Sequence, residues 1–252
     1  MRELRLIALP GIPEVGRDAA ITQLLLAAIT RTDLALQSGD ILVLAQKIIS
    51  KAEGRAVKLA SVTPSARAQQ LAQEANKDPR IVELMLQESR KVLRVKPGII
   101  ITEHKLGFIM ANAGIDQSNV PGGDDTALLL PKDPDASARK LRDELREKTG
   151  VEPGVLIIDS FGRAWRNGVT GTAIGVAGLP ALIDLSGEKD REGRTLRVTQ
   201  IAAADELAAA ASLVMGQAGE GTPAVLVRGF PYVMREASVQ ELIRPEAEDL
   251  FR

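Results

Sequence analysis

The chain has 252 residues, 32 basic against 33 acidic side chains, a formal net charge of −1, and only 2% aromatic residues. That length supports one large domain, or two interleaved ones, around a sizeable core. The balanced charge and scarce aromatics exclude a broad nucleic-acid footprint and base-stacking platforms, and the absence of cysteine excludes disulfides, thiol nucleophiles and thiolate metal sites.

A cysteine-free chain suits a reducing cytoplasm. Arg2, Glu3 and Arg5 interrupt what would be the apolar core of a signal peptide, and no uncharged apolar run approaches a membrane span. The expectation is a cytoplasmic protein with neither membrane nor nucleic acid as partner. The single histidine, His104 in "ITEHKLG", reads as a strand or turn residue rather than a catalyst. A bound metal therefore has to use oxygen ligands.

In chain order, Leu4 to Leu9 reads as a short strand, and "PGIPEVGRD" as a turn-rich loop whose Asp18 can cap the helix "AAITQLLLAAIT". Ile41 to Ala45 is a continuous apolar run of strand length, which predicts a strand buried on both faces. Lys47 and Lys51 follow at i, i+4 and share a face if that segment is helical. Residues 63 to 92 read as two helices, the second opened by Asp78-Pro79. "GIIITEHKLGFIMANAGID" predicts a hairpin turning at Lys105-Leu106-Gly107. "SARKLRDELREKTG" is an amphipathic helix closed by Gly150.

Val155 to Ile158 then reads as a strand delivering Asp159 and Ser160 at its tip, ahead of a cationic, glycine-rich loop. Arg197 to Ala202 reads as a strand, "ADELAAAASLVMGQAGEG" as a small-residue helix running into a glycine turn, and "PAVLVRG" as a buried strand. The tail from Ser238 reads as a polar helix. The class is mixed α/β (α+β) with no clear linker. It lacks a regular β-α-β beat, GxGxxG and GxxxxGK[ST], so neither a Rossmann nor a P-loop fold is expected.

Four segments can carry chemistry, each with a bland alternative. Asp116 and Asn119 in "NAGIDQSNV" are potential ligands, but also ordinary turn formers. Asp159-Ser160 pairs a carboxylate with a hydroxyl, hard oxygen donors suited to Mg²⁺ or Mn²⁺, although an Asp there also suits a cap. Arg163 and Arg166 can grip carboxylate or phosphate bidentately, whereas "GEKDREGR" further on reads as solvated surface. "MGQAGEGTPA" lets backbone amides approach phosphate oxygens, but glycines also simply end helices. Together they suit phosphoryl-transfer chemistry and identify no substrate.

The strings "SKAEGR", "NAGIDQSNV", "LLLPKDPDASA", "IIDSFGRAWRNGVTGTAIGVAG", "GEKDREGRTLRVT" and "MGQAGEGTPAVLVRG", in consistent order from about Pro10 to Gly229, closely resemble the coenzyme F420-0:γ-glutamyl ligase family. The resemblance implies a GTP-dependent amide-forming ligase. It would add L-glutamate to the phospholactate-linked deazaflavin F420-0 and then γ-link further glutamate, with Mg²⁺ or Mn²⁺, a response to K⁺, and an intertwined homodimer. By motif, Asp116, Asp159, Ser160 and Gln217 match the family's metal positions, although relatives can carry an acidic residue where Gln217 stands. Asn119 matches a nucleotide contact. Ile12, Pro13, Glu14 and Val15, then Gln46, Lys47 and Lys51, and the loop Met215, Gly216, Gln217, Ala218, Gly219, Glu220, Gly221 and Thr222 match its GTP-binding segments. Relatives can carry small hydroxyl residues at the Gln46-Lys47 pair.

Lys47 and Lys51 are the candidates for phosphate neutralisation, Arg163 and Arg166 for the acceptor's phosphate or carboxylates. Some relatives continue into a nitroreductase-like domain; the chain ends at Arg252, so that activity is not expected. Two other readings stand beside the ligase: the same fold acting on another acid, such as a pterin, and a GTP-binding regulatory protein without turnover.

Overall fold

The computed structural model describes residues 3–118 and 123–250. The chain opens with β1 (Arg5–Ala8) and, after the loop, α1 (Ile21–Thr30). Asp18 does not cap α1: it adopts φ +61°, two residues before the Ala20 N-cap, and its N–H is bonded to Ala52 O. The apolar run forms β2 (Ile41–Ala45), and α2 (Gln46–Ala52) follows without an intervening loop. β3 (Ala56–Lys58) leads to α3 (Ala66–Ala75), capped by the Ser65 hydroxyl, and α4 (Pro79–Glu88), capped by Asp78 with proline at its first position.

α4 ends at Glu88, because Ser89 turns extended and begins β4 (Ser89–Lys96), so the expected helix to residue 92 stops early. The hairpin β5 (Ile99–His104) and β6 (Ile109–Ala111) adds to β4 as a three-stranded antiparallel sheet. β7 (Thr126–Leu128) pairs with β3. α5 (Pro134–Thr149) begins at an Asp133 cap and ends where Gly150 takes a left-handed conformation.

The largest departure lies between residues 154 and 177. β8 (Gly154–Arg163) does not end at Ile158, and β9 (Arg166–Ala177) folds back along it. The expected glycine-rich loop is thus a long hairpin. Two of its glycines admit helices: a Cβ at Gly175 would lie 2.5 Å from the Pro134 carbonyl, and one at Gly171 2.4 Å from the carbonyl oxygen of Ala208. β10 (Ile183–Asp184) and β11 (Gln200–Ile201) form a short pair, so the strand expected over 197–202 shrinks to two residues. α6 (Ala203–Met215), whose backbone Gly171 meets, and β12 (Ala224–Arg228) follow. The tail forms two short 3₁₀ turns, Val239–Leu242 and Glu246–Glu248, rather than a helix.

The main sheet has the order β1-β12-β2-β8-β9, with β2 and β8 parallel and every other pair antiparallel. Residues Ile41 to Leu44 are fully buried, as expected for a strand covered on both faces. Asp40, 2% exposed, takes two hydrogen bonds from the Arg228 guanidinium and ties β12 to the start of β2. Buried apolar side chains form two clusters. One surrounds the main sheet with α1, α5 and α6; the other joins α3 and α4 to the smaller sheets.

Candidate active site

The parallel pair β2–β8 sets up the site. Ala45 sits opposite Ile158 in register, so Gln46 and Lys47, the first residues of α2, emerge beside Asp159 and Ser160, where β2 ends and β8 runs on past it. Ligands of α/β sheets gather at such strand ends. Two cavities open here. The larger, about 320 Å³, is bounded by residues 12–15, α2 and the segment 215–223 that links α6 to β12. The smaller, about 270 Å³, is bounded by β6, residues 112–118 and β8 as far as Gly162. Lys47, Asp159, Ser160 and Gln217 line both and form the wall between them.

Backbone pairing of Asp116 with Leu128 fixes the carboxylate side of this wall. Lys47 Nζ lies 2.6 Å from Asp116 Oδ2, while Asp116 Oδ1 accepts from the Ser118 N–H (2.7 Å) and hydroxyl (2.8 Å). Burial pushes the pKa of Asp116 up, but the Lys47 and Ser118 hydrogen bonds outweigh it and leave the carboxyl below its usual range. Asp159 goes the other way. Burial, reinforced by the negative charge of Asp116, raises it to about 6 against the opposing pull of the Ser160 N–H, Lys47 and Gln46. Ser160 Oγ donates to Gln217 Oε1 at 2.7 Å, which joins β8 to the 215–223 loop.

The wall of the larger cavity holds an orphan donor. Gln46 is 1% exposed; its Oε1 accepts from the Ser50 hydroxyl one helical turn on (2.7 Å), and its Nε2, the group through which it favours ionised Asp159, makes no hydrogen bond of good geometry among the described residues. A buried amide donor in that state is costly unless a ligand or water meets it. Lys51, on the same face as Lys47, bonds Glu14 Oε1 at 2.6 Å across the cavity mouth. Gly216 ends α6 at φ +76°, where a Cβ would collide with the Glu220 side chain, and the Ala218 N–H bonds that carboxylate.

Most residues singled out in the sequence therefore meet: residues 12–15, Gln46, Lys47, Lys51, Asp159, Ser160 and Met215–Thr222 around the larger cavity, Asp116 in the smaller. Asn119 lies outside the described residues. Arg163 and Arg166 stand exposed at the tip of the β8–β9 hairpin, and neither lines either of these two cavities. Sequence reasoning missed Ser118 and Ser50. The first was signalled by Asp116-x-Ser118, a spacing at which an Asp carboxylate accepts from the backbone two residues on. The second was signalled by its i, i+4 relation to Gln46.

Asp116, Asp159, Ser160 and Gln217 offer two carboxylates and two neutral oxygens, a donor set that fits a hard divalent cation such as Mg²⁺ or Mn²⁺. Among the described residues, no three His, Cys, Asp or Glu side chains form a metal cluster of their own, so neutral oxygens would have to complete the shell.

Fold and site together define a mixed α/β protein with adjoining cavities divided by an acidic and cationic wall. A sequence model of the F420-0:gamma-glutamyl ligase family matches residues 11–229, and the chain belongs to that family. It is 47% identical over 251 residues to the coenzyme F420:L-glutamate ligase of Methanothermobacter thermautotrophicus, covering 99% of each chain. It is also 47% identical to that of Methanopyrus kandleri, covering 90% of this chain and 91% of the relative. The Haloarcula marismortui enzyme of the same name is 43% identical over 255 residues, covering 99% of this chain and 96% of the relative. No helix among the described residues is long and apolar enough to cross a membrane.

Proposed function

We propose that this chain is a GTP-dependent ligase that joins L-glutamate to F420-0 and γ-links a further glutamate to the product, in coenzyme F420 biosynthesis. The observation that carries the reading is the 47% identity to a coenzyme F420:L-glutamate ligase over 99% of both chains. The two cavities with one shared wall support it, since ligation must bring a nucleotide and an acid acceptor together at one point.

A carboxylate is a poor acyl donor, so amide formation needs activation. In this mechanism an acceptor carboxylate oxygen attacks the γ-phosphorus of GTP and the bond to the β-phosphate oxygen breaks, giving an acyl phosphate and GDP. The glutamate amine then adds to the acyl carbon, loses a proton, and expels phosphate. The larger cavity takes GTP: the glycine loop 216–221 brings backbone amides close to phosphate oxygens, Lys51 offsets their charge, and Gln46 Nε2 supplies the waiting donor. The smaller takes the reacting end of the acceptor. Asp116 and Asp159, with Ser160 and Gln217, would hold Mg²⁺ or Mn²⁺. When bound, that cation neutralises charge where two anions meet.

Arg163 and Arg166, at the hairpin tip that extends from the smaller cavity, would receive the acceptor's phosphate or outer carboxylates. The same tip exposes Trp165 at 86% and Val169 at 55%, apolar surface that favours a homodimer contact. Mass spectrometry of the deazaflavin after incubation with the protein, GTP, L-glutamate and Mn²⁺ tests the reading. Glutamyl mass increments that vanish without GTP are expected. An unchanged deazaflavin, with another acid such as a pterin glutamylated instead, would replace the acceptor.

A further inference from the structure

The Lys47 ammonium is spent in a specific way. It has three protons, and three oxygens of one short segment take them: Asp116 Oδ2 at 2.6 Å, Ser118 Oγ at 2.9 Å and Ser118 O at 3.2 Å. The Asp116 carboxylate is equally engaged, with Oδ1 taking two hydrogen bonds from Ser118 and Oδ2 the ammonium. A divalent cation approaching Asp116 therefore meets a site in which a cation is already seated. Lys47 also borders both cavities, and its flexible four-carbon stem can swing about the fixed start of α2.

We infer that Lys47 is the resident counter-ion of Asp116, that it competes with the divalent cation for this carboxylate, and that cation binding releases its ammonium to the anion in the adjoining cavity. This rests on the proposed metal role of Asp116. Lys47 would then act as a positioning residue. It offsets the charge of Asp116 before substrates arrive and adds a positive charge to the nucleotide side only once the cation is in place. The pair is about 28% and 29% exposed, intermediate between surface and interior, so neither charge is fully screened by water.

The test is Mn²⁺ binding to the nucleotide-free protein, read from the paramagnetic resonance of unbound Mn²⁺. Lys47→Met should bind at least about tenfold more tightly than the unsubstituted protein, equivalent to about 1.4 kcal/mol. Ser118→Ala, which loosens the ammonium without removing it, should tighten binding by a smaller factor. Adding Asp116→Asn to Lys47→Met should abolish the gain. If Lys47→Met binds Mn²⁺ no more tightly while Asp116→Asn alone weakens binding, the competition is overturned and the metal role of Asp116 stands. If Asp116→Asn alone leaves binding unchanged, both fall. Should Lys47→Met not fold, Lys47→Gln gives the same reading.

Discussion

Two polar networks in this molecule use the same ingredients and do different things. In the wall between the cavities, Lys47 meets Asp116 at 2.6 Å; behind it, between α4 and the small sheet, Arg55 meets Glu88 at 2.6 Å and donates to the Leu130 carbonyl at 2.7 Å. The second network is sealed from both cavities: Arg55 and Glu88 are 13% and 18% exposed, and the neighbouring His104 is 2% exposed, its Nε2 3.8 Å from Glu88 Oε2 and without a hydrogen bond among the described residues. Neither cavity reaches Arg55, Glu88 or His104. A cation bonded to a carboxylate thus marks chemistry only where it borders space for a ligand.

The sharpest way to break the comparison is to cut each network. Arg55→Ala strands Glu88 in the interior and should cost about 3–5 kcal/mol of stability in a denaturant melt. Asp159→Ala should reduce turnover by about 10²–10³-fold with the melt little changed, if this carboxylate holds the cation that neutralises the developing charge. Wild-type turnover at limiting Mg²⁺ would remove Asp159 from the metal set.

Acid separates the networks next. Burial, aided by the charges of Arg55, Lys105 and Arg90, lowers the His104 pKa from 6.5 to about 4. Between those values the unfolded chain binds a proton that the fold does not, so this contribution to stability is present above pH 6.5 and is lost as pH falls toward 4, by roughly 3 kcal/mol. His104→Gln should flatten that slope, as measured by denaturant midpoints across pH. Smaller effects belong to the periphery. Arg166→Lys should raise the acceptor KM a few-fold if the guanidinium grips it bidentately. Gly219→Ala, where a Cβ meets nothing within 4 Å, should change stability by no more than about 0.5 kcal/mol.

The sequence discloses these regions unevenly, for physical reasons. β2, β12, α5 and α6 announce themselves through continuous apolar runs or a 3.6-residue period, and the hairpin β5–β6 through its turn. β3 and β7 are three residues each and exist only because they pair with one another across some seventy positions, which no local pattern records. β8 outran its apolar run because β9 pairs with it along Asp159, Ser160 and Gly162, residues that do not advertise a strand. The same pairing turned the expected cationic, glycine-rich loop into a helix-packing strand at Gly171 and Gly175, while the glycine-rich 215–222 string does line a cavity.

For the site, the i, i+4 lysines and the Asp159-Ser160 pair were visible as residue types. That Lys47 turns to Asp116 and Lys51 to Glu14 depends on long-range packing. The sealed network went unread because Arg55 and Glu88 are ordinary charged residues until the fold buries them.

The proposed ligation stands on direct attack of the acceptor carboxylate on the γ-phosphate of GTP. Its most direct test uses F420-0 labelled with oxygen-18 in its carboxylate, turned over with GTP, L-glutamate and Mn²⁺, followed by mass analysis of the released phosphate. Direct attack on the γ-phosphate predicts that each phosphate carries one labelled oxygen. Unlabelled phosphate accompanying glutamylated product would contradict it.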